Sequence, residues 1–229
     1  MARVLRILST ALITAGLVVM ADVALTLAWK EPMSTIYGSI QQGRAEDELA
    51  DLERTFSARV TELDGATPSR AELGPADRGP TVKEVGSLAR VFAQEVSPGR
   101  AIGRIEIARI DVDGIVVEGT DTETLRKGPG RYPDTAFPGQ GKTIGIAGHR
   151  TTYLAPFRNI DELEEGNEIV LEMPYATFTY EVQKHEIVEP SQVAIVRDVG
   201  YERLVLTACH PLYSAAQRYA VFAKRIEIS

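Results

Sequence analysis

Hydrophobic positions along the chain fall into three textures. Residues 7–29, ILSTALITAGLVVMADVALTLAW, are almost continuously apolar and carry one charge, Asp22. As a helix, such a run spans roughly 30 Å of hydrocarbon. Between residues 44 and 63 the apolar positions are sparser and recur at helical spacing: Leu49, Leu52, Phe56, Val60 and Leu63. This is one apolar stripe on a polar helix. It has three places to lie: on the domain that follows, on a membrane surface, or on a second copy of the chain, where two to three heptads would be marginal alone. Pro32, Gly38 and Gly43 are expected to break the segment ahead of it. Residues 64–80, DGATPSRAELGPADRGP, read as a linker, and 85–96 as a short helix.

From residue 100 the period changes to two. Strands are expected at 101–110, 115–117, 142–148, 168–173, 177–188, 203–208 and 218–228, from alternation or short apolar runs between Gly, Pro and Asp. Asp113-Gly114 is expected to turn the first hairpin. Helical segments look short: one at 121–126, capped by Thr120 or Asp121, and one at 154–161. Many short, evenly spaced strands predict a mainly β fold, an antiparallel barrel or sandwich. The expected organisation is residues 1–30 as a cytoplasmic stub and membrane anchor, 31–99 as an extracytoplasmic, partly helical stalk, and 100–229 as the β domain.

Composition narrows the functional classes. The formal net charge of -7 argues against non-specific nucleic-acid binding. One cysteine among 229 residues forbids an intrachain disulfide, and no C-x-x-C or His/Cys spacing suggests structural zinc. The apolar run is longer than the core of a cleaved signal peptide and lacks a convincing small-x-small site after it. Arg3 and Arg6 precede it, so an uncleaved anchor has its N-terminus in the cytoplasm, with Trp29 and Lys30 at the far interface. Asp22 is costly in lipid and is expected either to pair in an oligomer or to sit near the outer interface.

The single cysteine, Cys209, ends an apolar strand, VLTAC. A buried free cysteine is often only packing. A thiolate nucleophile needs an acid or base and a positive charge nearby. Of three histidines, His149 follows the small-residue strand TIGIAG and opens a loop, a good place for chemistry. His185 lies among charged residues and reads as a solvated face. His210 adjoins Cys209, but neighbours on a strand point to opposite faces, so it reads as a rim residue. If strands 203–209 and 218–228 form a hairpin, Arg218 starts the second strand where Cys209 ends the first. An arginine there stabilises a thiolate and donates to an oxyanion.

IAGHR, then VLTACHP some 60 residues on, then an arginine nine residues after the cysteine, resembles the sortase family of membrane-anchored cysteine transpeptidases. GRIEIARIDVDGIVVEG and GHRTTYLAPFRNIDEL extend the likeness over residues 100–229. GHRTTY and CHPLYSAAQR look most like class E, with class D second. The resemblance implies a closed antiparallel β-barrel of sortase type. It implies Cys209 as nucleophile, His149 as general acid and base, Arg218 as stabiliser of oxyanion and substrate, and substrate contacts at Thr207, Ala208 and Tyr153. It implies cleavage of a C-terminal sorting signal, LAxTG- or LPxTG-like, between Thr and Gly through a thioester. The acyl group then passes to a cell-wall amine on a peptidoglycan precursor. Alternatives are a pilin lysine as the amine, or a catalytically weak membrane-anchored β module. Ala208 stands where the family's TLxTC pattern has threonine, which puts contacts there in doubt. An L,D-transpeptidase would need a histidine almost adjacent to the cysteine in an SHGC-type sequence, and ACHP lacks it. No cofactor is implied. Calcium is known in some sortases, but Asp161, Glu162, Glu164 and Glu165 read as a solvated acidic turn.

Overall fold

The computed structural model describes residues 2–29, 32–65 and 81–229. Lys30, and the expected linker from residue 66 on, fall outside them. Helix α1 (Ala2–Trp29) carries the apolar run. Its stretch Arg3–Ala21 has a mean hydropathy of 2.1 and none of it is buried against the rest of the chain, so by length and composition it can cross a membrane.

Helix α2 (Pro32–Gly65) runs unbroken through Gly38 and Gly43, contrary to expectation. Gly38 has a packing reason: a Cβ there would sit 3.0 Å from Leu154 Cγ and 3.1 Å from the Tyr153 carbonyl carbon. Close approach of helix and loop offsets the helix propensity that glycine forfeits, about 1 kcal/mol. Of the three places open to the apolar stripe, the β domain is where it lies. Ala45 and Leu49 pack with Ala101 and Ile115. Phe56 meets Phe92 edge-on, ring centroids 5.4 Å apart at 87°. Gln42 replaces a missing strand partner: its Nε2 donates to the Ile115 carbonyl at 3.1 Å, and its Oε1 accepts from Ile115 N–H at 2.7 Å. Phe92 belongs to α3 (Val82–Glu95), which starts with a reciprocal capping box between Thr81 and Glu84.

Eight strands close a barrel in the order β1-β2-β3-β4-β7-β8-β6-β5. They are β1 (Ala101–Ile107), β2 (Val112–Glu118), β3 (Gly130–Arg131), β4 (Thr143–Gly148), β5 (Glu168–Met173), β6 (Ala176–Val188), β7 (Arg203–His210) and β8 (Gln217–Ile228). The expected closed barrel is present, but two of its seams, β2–β3 and β4–β7, run parallel. Those parallel seams need long crossovers, and the loops of the molecule are spent on them. β3, two residues long, is too short to show a period. The first hairpin turns earlier than Asp113-Gly114, through a 3-10 turn at Ala108–Ile110 and Asp111 at φ 54°. Asp113 and Gly114 are paired inside β2, which is buried on both faces: Val112 and Val116 face the barrel core and Ile115 faces α2. Helix α4 (Thr122–Leu125) forms as expected, and Asp121 is its cap, accepting from the Glu123 and Thr124 N–H groups.

The expected helix at 154–161 is only a 3-10 turn, Ile160–Glu162. Before it, Tyr153, Leu154 and Ala155 have φ of 49°, 67° and 46°. Pro156 excludes the right-handed helical region for Ala155, and three left-handed residues in succession are held only by surrounding contacts.

One core fills the barrel, with Phe157, Ile160 and Leu163 closing an end. Val205, Ala220 and Phe222 face the other way, into a second cluster with Ile195 and Val196. β7 and β8 are thus buried on both faces near their centres, which explains their continuous apolar runs.

Two carboxylates are buried with partners. Glu118 takes Arg131 in a two-pronged pair, 2.7 Å to Nε and 2.6 Å to Nη2, both side chains under 10% exposed, across the β2–β3 seam. Glu202 accepts from Gly139 and Gly141 N–H, from the Tyr180 hydroxyl and from Arg225. Removing one partner of a buried ion pair strands the other's charge, at a cost of ~3–5 kcal/mol. Glu118→Leu and Arg131→Met should each lower the unfolding free energy by that amount, and the double variant Glu118→Leu/Arg131→Met should lose less than their sum. Additive losses in a denaturant-melt double-mutant cycle would show that the pair is not coupled.

Candidate functional site

β7 and β8 form the expected hairpin, and its register pairs Cys209 directly with Arg218. Side chains alternate along both strands. Leu206, Ala208, Tyr219 and Val221 point into the barrel core, whereas Val205, Ala220 and Phe222 face out. Cys209 and Arg218 fall in the outward set, together with Thr207. Arg218 and Thr207 line a groove of about 320 Å³ on that face, with Tyr132, Pro190, Val193 and Val196 among its other walls. Arg218 Nη1 donates to the Ala215 and Gln217 carbonyls, 2.9 Å each, which fixes the guanidinium at the end of the strand.

His149 enters from β4, whose parallel register with β7 ends at Gly148–Ala208. His149 and Cys209 are the next residues on adjacent strands. The ring of His149 tilts against Tyr153, centroids 5.3 Å apart at 41°. Its Nε2 is buried and has no hydrogen-bond partner. Burial, and secondly the positive charge of Arg126, hold the imidazole below its ordinary pKa. Both effects disfavour the imidazolium. Arg126 sits 5.7 Å from the centre of the Tyr153 ring, and Tyr37 of α2 meets the same ring edge-on at 6.0 Å.

Glycine before His149 has a steric cause. A Cβ on Gly148 would lie 2.5–2.9 Å from the Phe157 ring, which is fully buried. Phe157 N–H also donates to the His149 carbonyl at 3.0 Å. The IAGHR strand end and the loop after it are therefore packed as one piece.

The expected contact residues separate into three places. Thr207 lines the groove, its hydroxyl 2.8 Å from that of Tyr132. Ala208 does not: its methyl is buried in the barrel core, so the exchange of threonine for alanine removes no groove hydroxyl. Tyr153 lies between His149 and α2 and lines a different cavity of about 310 Å³ under that helix. His210 contacts Tyr219 at 5.8 Å, and His185, although exposed, stacks on the same ring at 5.3 Å and 20°. Among the described residues no three His, Cys, Asp or Glu side chains converge as a metal site needs, and Asp161 is bonded to Arg150.

Residues 105–226 match the family model described as the sortase domain, more than half of the chain. The chain belongs to the sortase family. It is 38% identical to sortase D of Bacillus subtilis over 132 residues, 56% of this chain and 65% of that protein. The match thus spans less than two thirds of that relative's length. Among solved sortases, the Clostridium perfringens sortase D5 transpeptidase is 28% identical with a TM-score of 0.56, covering 65% of this chain and 91% of that one. Sortase E1 of Streptomyces coelicolor, crystallised with a tripeptide in its active site, is 29% identical with a TM-score of 0.55, covering 58% and 92%. Relatives thus come from both classes D and E.

Three residues of this sortase's site carried no sequence signal of their own. Tyr132 sits in a turn, RYPDT, that resembles any other. Arg126 and Arg150 read as surface cations until the fold places the first beside Tyr153 and buries the second. Gly148→Ala should force Phe157 from its place, since overpacking a core costs ~1–3 kcal/mol. The check is a lowered melting temperature with faster proteolysis at 150–158. An unchanged melting temperature would mean that the ring moves aside freely.

Proposed function

We propose that this sortase is an active cysteine transpeptidase with Cys209 as nucleophile, His149 as general acid and base, and Arg218 as stabiliser of the oxyanion. One observation carries the reading. Cys209 and Arg218 are paired across β7 and β8 on the outward face, where Arg218 lines a groove, and His149, next after the Gly148–Ala208 pair, has a buried Nε2 with no hydrogen-bond partner among the described residues. A buried polar nitrogen without a partner is expensive unless a reacting group is to use it.

The groove takes a C-terminal sorting signal of LAxTG or LPxTG type from a secreted protein. The Cys209 thiolate attacks the Thr carbonyl carbon, and the oxyanion that forms is met by the Arg218 guanidinium. The C–N bond to Gly breaks as His149 gives its Nε2 proton to the departing amine, leaving a thioester. An incoming amine attacks the thioester, His149 takes its proton, and the thiolate leaves. Splitting amide exchange into two acyl transfers lowers each barrier. The amine is that of a peptidoglycan precursor. Helix α1 anchors the enzyme, N-terminus in the cytoplasm, so that the barrel works outside among membrane-borne substrates.

The test uses the full chain in detergent, because α2 contributes Phe56 to the barrel's core. Quenched LAxTG and LPxTG peptides are supplied with a glycine-type amine or a lysine peptide. Cleavage with adduct formation, abolished in Cys209→Ala, is expected. No Cys209-dependent turnover on either peptide would overturn the reading.

The electrostatics of His149 give a second prediction. Arg126→Gln removes a cation that disfavours the imidazolium, so the ring should titrate at higher pH and be protonated more often at neutral pH. The His149 ring-proton resonances followed by NMR against pH report this directly. An unmoved titration would leave burial as the whole cause.

A further inference from the structure

The residue after His149 and the residue after Cys209 touch each other. Arg150 Nη1 lies 3.5 Å from His210 Nδ1. This follows from the parallel register: Gly148 and Ala208 are paired, His149 and Cys209 follow, and Arg150 and His210 come next. Alternation turns His149 and Cys209 to the outward face and Arg150 and His210 to the opposite side. We propose that Arg150 and His210 are positioning residues, a strut behind the site that sets the separation of His149 and Cys209. The inference rests on the catalytic reading above.

Arg150 is built for such a role. Its side chain is only 4% exposed, yet it has one carboxylate partner, Asp161, at 2.6 Å. Its other bonds go to the Arg158 carbonyl, 3.1 Å from Nε and 3.0 Å from Nη2, and to His210. Burying a cation costs several kcal/mol unless every donor is used. A lysine or an apolar residue would fill the space more cheaply, but would not reach three segments at once. The rigid fork of the guanidinium does: one edge holds the loop at Arg158, one tip holds Asp161, the other faces β7. A guanidinium has only donors, so in this contact His210 Nδ1 is the acceptor. His210 is braced in turn by Tyr219, the neighbour of Arg218. His149, Cys209 and Arg218 thus each have an immediate chain neighbour in one connected cluster behind them.

A second tie runs parallel to this one. Arg158 Nη2 donates to the Tyr213 hydroxyl at 3.1 Å, linking the same loop to the turn after Cys209. Tyr213 is 67% exposed, so that link is the weaker of the two.

His210→Phe and His210→Asn in the full-chain enzyme test the strut. Phenylalanine keeps the ring and loses the acceptor. Asparagine loses the ring but places an oxygen near the Nδ1 position. Misplacing reacting groups by about 1 Å costs up to ~100-fold in rate. His210→Phe should lower kcat by about 10-fold or more with KM and melting temperature unchanged, and His210→Asn should recover most of that loss. Asp161→Asn, on an exposed carboxylate, should also lower kcat, and it decides the matter if His210→Phe does not fold. Wild-type kcat in His210→Phe, equal losses in both His210 variants, or wild-type kcat in Asp161→Asn would overturn the strut. Cys209→Ala and His149→Ala run alongside: turnover in either would mean that the catalytic reading itself has failed.

Discussion

Period-two alternation on three adjacent strands, β4, β7 and β8, is the constraint on which the site depends. It sends Thr207, Cys209 and Arg218 to the outward face, where Thr207 and Arg218 line the groove, and Ala208, Tyr219 and Val221 to the core. A one-residue slip in either register would exchange those sets and remove Cys209 and Arg218 from the same face. The register must therefore be fixed firmly, and it is fixed by burial on both sides. Phe222 and Val205 pack outside, Leu204 and Leu206 inside. The parallel β4–β7 seam brings in the histidine from a third strand, at the cost of long crossover connections.

Those crossovers explain where the buried charges are. Glu202 just ahead of β7 collects the N–H groups of Gly139 and Gly141 from the turn ahead of β4. Glu118 and Arg131 close the other parallel seam, where β3 offers only two residues of ladder. In both places a carboxylate substitutes for backbone pairing that the topology cannot supply. The net contribution of such groups to stability is modest, because desolvation consumes most of the attraction. Their effect is on specificity: an unpaired Arg131 or Glu202 penalises any arrangement that does not bring its partners together.

Much of this was legible in the sequence because it is periodic. The long strands announced themselves by alternation, the stripe of α2 by its 3-4 spacing, and the Cys209–Arg218 pair by the length of the hairpin between them. What was not legible depends on contacts distant in the chain. Gly38 looks like a breaker, and only the proximity of Leu154 shows why a glycine belongs there inside a helix. The segment around Tyr153 has helical composition, and Pro156 together with docking of α2 sends it left-handed. Ala208 looked like a lost hydroxyl because a motif records identity at a position, not the direction in which the side chain points. Arg150 looked like surface charge, since burial of a cation is decided by acceptors on other segments.

Docking of α2 also changes the geometry of encounter. Only residues 30 and 31 separate α1 from α2, and the three Cα steps from Trp29 to Pro32 reach at most about 11 Å. With α1 in a bilayer, the barrel is not on a leash of seventy residues. It is carried by α2, a helix of 34 residues and about 50 Å. The groove then samples a thin layer rather than a hemisphere. For a substrate tethered to that same bilayer, diffusion would be confined to two dimensions, and distance from its own attachment would count in the encounter.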